Sequence, residues 1–252
     1  MSKIALITFS PTGTSLMVGQ KIANEFEGEK VFDDLCEETV EEVQMSKEDV
    51  CIFSFPCYGG RIPTTAKERL RRIFGNGARA IVCVTYGNRA FEDALLELAD
   101  TVTENGFQVI AGCAAVTEHN IMHVFGQGRP DGEDLEEIQQ FSKEVVKKLK
   151  EKRFNGLHIP GNRPYKELHA AKTNIFVDET TCVNCGICAS KCPVKAISAD
   201  GLHVDMDVCI NCMRCIKICP KKSRKISEEF VATLTQRLQS ACEERKENQF
   251  FF

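Results

Sequence analysis

Residues 182–193 read C-V-N-C-G-I-C-A-S-K-C-P, and residues 209–220 read C-I-N-C-M-R-C-I-K-I-C-P. The spacing C-x2-C-x2-C-x3-C-P is thus written twice, 27 positions apart. Shifting residues 177–197 by 27 makes nine of 21 positions identical, including Val177, Asp178, Asn184, Pro193 and Lys195 as well as the four cysteines. The segment is an internal duplication. Eight of the fourteen cysteines lie in it. A disulfide framework is one reading, but disulfides are rare in reducing compartments, and this chain is neither short nor headed by a signal-peptide core. The spacing points to metal.

Three closely spaced cysteines can wrap three corners of an iron–sulfur cubane, while the fourth, followed by proline, reaches the other cluster. Cys182, Cys185, Cys188 and Cys219 are therefore expected to hold one [4Fe–4S] cluster, and Cys209, Cys212, Cys215 and Cys192 the second. Structural zinc competes, because C-x2-C pairs also bind it. Zinc does not require a third evenly spaced cysteine followed by C-P. On these residues, positions 177–226 resemble the bacterial two-cluster ferredoxins with all eight ligands in place. Met213, where the first repeat has Gly186, departs from the pattern. Ala199-Asp200-Gly201 suits a hairpin turn. Lys221, Lys222, Arg224 and Lys225 form a basic run, read either as a solvated face offsetting anionic clusters or as a dock for an acidic partner.

Upstream the character changes. Over residues 1–152, apolar stretches rich in β-branched residues at 3–9, 30–35, 50–55, 80–85 and 107–116 fit buried parallel strands. Helical patterns lie between and after them at 14–26, 63–74, 89–105 and 131–152, with Pro63 in a first turn and Asn105-Gly106 as a stop. Residues 37–46 leave room for a short helix only. This alternation predicts a parallel sheet with helices on both faces. Residues 153–176 contain two prolines and two glycines and read as a linker, which His158, Tyr165 and His169 suggest is packed. Residues 177–226 form the cluster domain. In 227–252, Phe230, Val231, Leu234, Leu238 and Cys242 share one helical face behind a Ser227 cap, the pattern of a docking helix. Phe250-Phe251-Phe252 is either packed or a sticky end. The remaining cysteines, Cys36, Cys51, Cys57, Cys83, Cys113 and Cys242, read as small buried hydrophobes.

S10-P-T-G-T-S15 follows the first strand and opens the first helix. Such a turn offers N–H and hydroxyl donors to a phosphate, with the helix dipole favouring the anion; a plain capped turn is the alternative. The third strand runs into F55-P-C-Y-G-G-R-I-P63 and the fourth into T85-Y-G-N-R-A-F91. Ligands of open parallel sheets sit at the carboxyl ends of the strands, where the order reverses. Both loops put an aromatic beside glycines, which suits a flat ring. Together the three segments resemble the flavodoxin fold and its FMN site over residues 1–152, with Ser15 where threonine is usual. With I159-P-G-N-R-P-Y-K166 added, the whole chain is similar to the EFR1-type flavodoxin/ferredoxin fusion family.

The resemblance implies an α/β fold: a flavodoxin-like five-stranded parallel sheet in order 2-1-3-4-5, then a small α+β bacterial-type ferredoxin domain. It implies that Ser10, Thr12, Gly13, Thr14 and Ser15 hold the FMN phosphate. Pro56, Tyr58, Gly59 and Gly60 would flank one side of the isoalloxazine, and Thr85, Tyr86, Gly87 and Asn88 the other, with Tyr86 stacking on it. Arg61 and Arg89 would stabilise the anionic reduced flavin or serve as surface cations. Cys57 invites a thiol-redox role beside the commoner packing one. No G-x-G-x-x-G follows a strand, since G126-Q-G-R-P-D-G132 is one residue too long, so no dinucleotide fingerprint is present. His119 and His123 stand four apart in the 117–131 loop, a metal pair or ordinary loop residues, and the loop itself is a natural lid.

Hydrophobic content of 43%, charged content of 27% and a net charge of −4 fit a soluble globular chain with neither nucleic acid nor membrane as partner. The expected location is the cytoplasm. The expected function is electron transfer between two [4Fe–4S] clusters and FMN, toward a redox partner protein. The alternative is an FMN-dependent reductase of a small organic acceptor, with Arg61, His119 and Tyr165 facing substrate. A redox sensor ranks third. A homodimer is an open expectation.

Overall fold

The structure is a computed structural model that describes residues 2–154, 156–168 and 173–252. The first part of the chain forms β1 (Lys3–Thr8), α1 (Thr14–Ala23), β2 (Glu29–Asp34), β3 (Val43–Gln44), β4 (Val50–Pro56), α2 (Thr64–Leu70), β5 (Ile73–Phe74), β6 (Arg79–Tyr86), α3 (Ala94–Glu104), β7 (Gln108–Val116) and α4 (Gly132–Glu151). The second part forms β8 (Ile175–Val177), α5 (Ile187–Ser190), α6 (Arg214–Lys217), β9 (Arg224–Ile226), α7 (Glu228–Cys242) and β10 (Gln249–Phe251).

The main sheet runs β10-β7-β6-β4-β1-β2. Its five N-terminal strands are parallel, in the order expected of a flavodoxin-like sheet, and β10 closes the β7 edge antiparallel. Successive strand residues point to opposite faces, and the burial follows. Phe53 and Val82 face Leu70, Leu95 and Leu98 from α2 and α3. Ile52, Ile81 and Cys113 face Val18, Ile22, Ile138 and Phe141 from α1 and α4. β4 is buried along its whole length, as a central strand covered on both sides must be.

Two elements differ from expectation. Residues 37–46 form no helix; Val43–Gln44 pairs in parallel with Ile73–Phe74 as a two-strand ladder. The same pairing ends α2 at Leu70 rather than 74, because the Arg72 and Phe74 carbonyls accept from Val43 and Met45 instead of continuing helical bonds. Likewise α3 starts at Ala94, since Asn88 and Glu92 adopt positive φ of 61° and 44°.

Residues 156–168 lie as a strap over α3. Asn162 and Lys166 donate backbone N–H groups to the two Asp93 carboxylate oxygens at 2.8 and 2.7 Å. Tyr165 and Arg163 hydrogen-bond Asp100. His169 lies outside the described residues. In the duplicated segment β8 and β9 pair antiparallel and tie its two ends together, and Ile197 bridges Val204 across the 199–201 turn. Ser227 caps α7 by accepting from Phe230 N at 3.3 Å. The terminal phenylalanines are packed, with Phe250 and Phe252 at 5.0 and 5.3 Å from Phe141. Among the described residues no helix is long and apolar enough to cross a membrane.

Candidate functional site

The β1–α1, β4–α2 and β6–α3 loops come together at the carboxyl ends of their strands and line one cleft with Thr117, Glu118 and Asn120. Gly13 takes φ 93° and caps α1 without a side-chain bond. The Leu16 N–H goes to Ser10 Oγ at 2.9 Å, and Gly13 N–H to the Ser10 carbonyl. Among the described residues the N–H groups of Thr14 and Ser15 have no partner, leaving the helix N-terminus open to an anion. The Ser15 hydroxyl is spent on Thr85 Oγ1 at 2.7 Å.

Tyr58 and Arg61 exchange backbone bonds of 2.9 and 3.2 Å around Gly59 and Gly60, whose φ values are 62° and 92°. A Cβ on Gly60 would run into Glu92, and one on Gly87 would lie 2.6 Å from His119. These glycines let the two loops close on the cleft. The Tyr58 hydroxyl is enclosed, and burial pushes it well above its ordinary range, with the Cys212, Cys36 and Cys57 thiols near it.

Several expected flavin contacts are committed elsewhere. The Tyr86 ring is 4% exposed and meets Phe91 edge-on at 5.5 Å, so it belongs to the core and presents no stacking face. Asn88 donates to the carbonyls of Cys242 and Glu244 at 2.6 and 3.0 Å and accepts from Lys246 N, which makes it a clasp for the C-terminal segment. Arg61 is bidentate to Glu97, and Arg89 to Glu92. Burial pushes the Cys57 thiol up to about 12, which disfavours thiolate chemistry. His119 Nδ1 accepts from Ile121 N and Met122 N, each at 3.1 Å, whereas His123 pairs with Glu118. Among the described residues no three His, Cys, Asp or Glu side chains converge on a single-ion site.

In the cysteine domain the duplication is written in the backbone as well. Asn184 and Asn211, Gly186 and Met213, and Lys195 and Lys222 adopt positive φ at equivalent positions. Ala196 N donates to Cys192 Sγ and Ser223 N to Cys219 Sγ, each at 3.3 Å. Cys182, Cys185, Cys188 and Cys219 line one pocket. Cys192 is near enough to Cys209, Cys212 and Cys215 to act on them electrostatically.

Arg224 belongs to the basic run expected at the surface, yet it is 2% exposed. One Nη lies 3.5 Å from Cys188 Sγ, and Cys215 is also within its electrostatic range. Its Nε and other Nη have no partner, nor does one Nη of Arg214. A buried cation without an anion costs several kcal/mol, about 3–5 when a partner is removed. Anionic cubanes between these thiols would supply the missing charge, so the residues present fit such clusters. The repeat does hold a signal for this: Arg224 occupies the position of Ile197, a core residue of the first repeat.

Residues 174–220 match the family model described as a 4Fe-4S dicluster domain. No curated protein matches the chain by sequence. Among solved structures, a flavodoxin from the domain Archaea is 14% identical with a TM-score of 0.45, over 59% of this chain and 99% of its own. The Fusobacterium nucleatum flavodoxin bound to flavin mononucleotide is 15% identical with a TM-score of 0.42, over 59% and 99%. Rubredoxin oxygen:oxidoreductase from Desulfovibrio gigas is 14% identical with a TM-score of 0.44, over 60% and 37%. The fold assignment rests on the strand order itself. By fold and site this is an electron-transfer redox protein. It is a fusion of a flavodoxin-like α/β domain with a ferredoxin-type iron–sulfur domain.

Proposed function

We propose that the chain passes electrons between two [4Fe–4S] clusters and a bound FMN, exchanging them with a one-electron redox partner. One observation carries the reading. Thr12 and Thr14 of the β1–α1 turn and Met213, Ile216 and Lys217 of the cysteine domain line one cavity, which adjoins the three-loop cleft. The phosphate would lie on the open N–H groups of Thr14 and Ser15 with the Thr12 and Thr14 hydroxyls. The ring would lie between Tyr58-Gly59-Gly60 and the Thr85-Tyr86-Gly87 backbone. FMN supplies the exchange between one- and two-electron chemistry, while the clusters are one-electron carriers. The protein holds the centres at a fixed separation, so no diffusional encounter is needed.

The polar lining of the cavity also favours a second reading, an FMN-dependent reductase of a small organic acceptor. Its acceptor would meet Glu118, Asn120, His123 and Lys217 rather than Arg61, His119 or Tyr165, which are held in internal contacts. Anaerobic protein assayed for FMN and iron, then titrated stepwise with reductant, tests both. FMN retained with two iron–sulfur centres reducible one electron at a time supports the carrier. Turnover of a small organic acceptor without a protein partner moves the assignment to the reductase. Absence of bound flavin overturns both.

A further inference from the structure

The two cysteine groups have opposite surroundings. Around the first, Cys185 is exposed, with Val183 and Ile187 beside it at 57% and 38% exposure. In the second, Cys212 is 8% exposed and the adjoining Met213 is 4%. Ile210 packs against the core of the flavodoxin-like domain. Cys212 is also among the groups around the Tyr58 hydroxyl, at the wall of the candidate flavin cleft.

The polar bonds between the domains follow the same division. Arg69 Nη2 donates to the carbonyl of Pro193, next to the second-group ligand Cys192, at 2.6 Å. Lys191 and Arg214 both reach Glu37 at 3.0 Å, and Lys195 pairs with Glu38. Among the described residues, no hydrogen bond joins residues 182–188 to the flavodoxin-like domain. Met213 accounts for its own departure from the repeat. It accepts a φ of 61° where Gly186 adopts 70° freely, and its buried side chain lines the interdomain cavity. A left-handed non-glycine residue costs about 1 kcal/mol or more, which this burial offsets.

We infer that the duplicated runs are an ordered series. The cluster of Cys192, Cys209, Cys212 and Cys215 is the inner relay facing the flavin cleft, and the cluster of Cys182, Cys185, Cys188 and Cys219 is the outer port. This deepens the function proposed above and rests on it. The partner is a soluble one-electron carrier protein that meets the exposed edge at Val183, Cys185 and Ile187. Each passage takes one electron from the carrier, through the outer and then the inner group, to the cleft. Two passages and two solvent protons convert one flavin from its oxidised to its fully reduced form. The reverse flow balances in the same way.

The test compares FMN-loaded, anaerobically purified protein with Cys182→Ala and Cys212→Ala, measuring iron, FMN and flavin fluorescence. A cluster close to the ring quenches its emission. Cys182→Ala is expected to lose about half the iron, keep its FMN and stay quenched. Cys212→Ala is expected to keep FMN while emission rises severalfold. Brightening in Cys182→Ala with quenching retained in Cys212→Ala overturns the order. A second measurement needs no substitution at the inner group. A water-soluble dysprosium chelate added to the reduced, unsubstituted holoprotein should speed spin relaxation of the signal that Cys182→Ala lacks. A stronger effect on the other signal also overturns the order. Failure of the unsubstituted protein to bind FMN sinks the flavin reading alone, because the chelate result still decides which cluster is outer.

Discussion

Arg224 is the residue whose role depends most on tertiary context. Its guanidinium sits between the two thiol groups without a carboxylate partner among the described residues. Removing a nearby positive charge disfavours the more negative, reduced state of a cluster. Arg224→Gln should therefore lower the midpoint potential of both clusters, and Arg224→Lys should lower it less. Redox titration followed by electron paramagnetic resonance checks this, and unchanged potentials would remove the electrostatic role.

His119 makes a pH prediction. Burial of its ring, reinforced by His123 and Arg89, lowers it from 6.5 to about 4. As pH falls, the unfolded chain takes up this proton near 6.5 but the folded protein does not until about 4. Stability should accordingly drop across that window, by on the order of 2 kcal/mol once partial exposure is allowed for. Denaturant midpoints measured through the window should slope less in His119→Gln.

At the scale of elements, the C-terminal helix and strand form a clamp. Leu234, Leu238 and Cys242 of α7 pack on Met122 and Phe125 of the 117–131 loop. β10 then pairs with β7, and Asn248 bonds Val116 N and the buried Asp134, itself paired with Arg129. The loop expected to act as a lid is thus held down by the tail. Asn88 fastens the turn between α7 and β10. Asn88→Ala leaves the Cys242 and Glu244 carbonyls without their partners. It should cost about 2–3 kcal/mol in denaturant unfolding and expose the tail to proteolysis. A loss under about 0.5 kcal/mol would show that the clamp is held by β10 and the phenylalanines alone.

For the whole molecule, the question is what joins the domains. The Glu37 carboxylate is 48% exposed, with Lys191 at 50% and Arg214 at 13%, and pairs on so exposed a carboxylate contribute about 0–1 kcal/mol. Ile210 is an apolar contact with the core of the other domain, and burying such a side chain is worth about 1.5–3 kcal/mol. Glu37→Gln should leave domain association nearly unchanged, while Ile210→Asp should separate the domains without unfolding either. Solution scattering distinguishes the two outcomes. Separation by Glu37→Gln alone would reverse the ranking.

The sequence by itself determined the cysteine spacing, its duplication and the period of strands and helices, because these depend on local geometry. The 2.0 and 3.6 periods and the two- and three-residue gaps between the cysteines are all short-range. It also marked the Ser10–Ser15 turn and the loop glycines, which only small residues can occupy. Only the tertiary structure decided which aromatic reaches the cleft. Tyr58 and Tyr86 look alike beside their glycines, but Tyr86 is turned into the core against Phe91. The burial of Arg224, the use of Asn88 as a clasp, and the inward placement of the second cysteine group were likewise settled by packing. Each depends on partners more than 25 residues away in the chain, such as Cys188, Cys242 and Tyr58. Such contacts leave no periodic trace in the sequence, because what fixes them is the space left between packed elements.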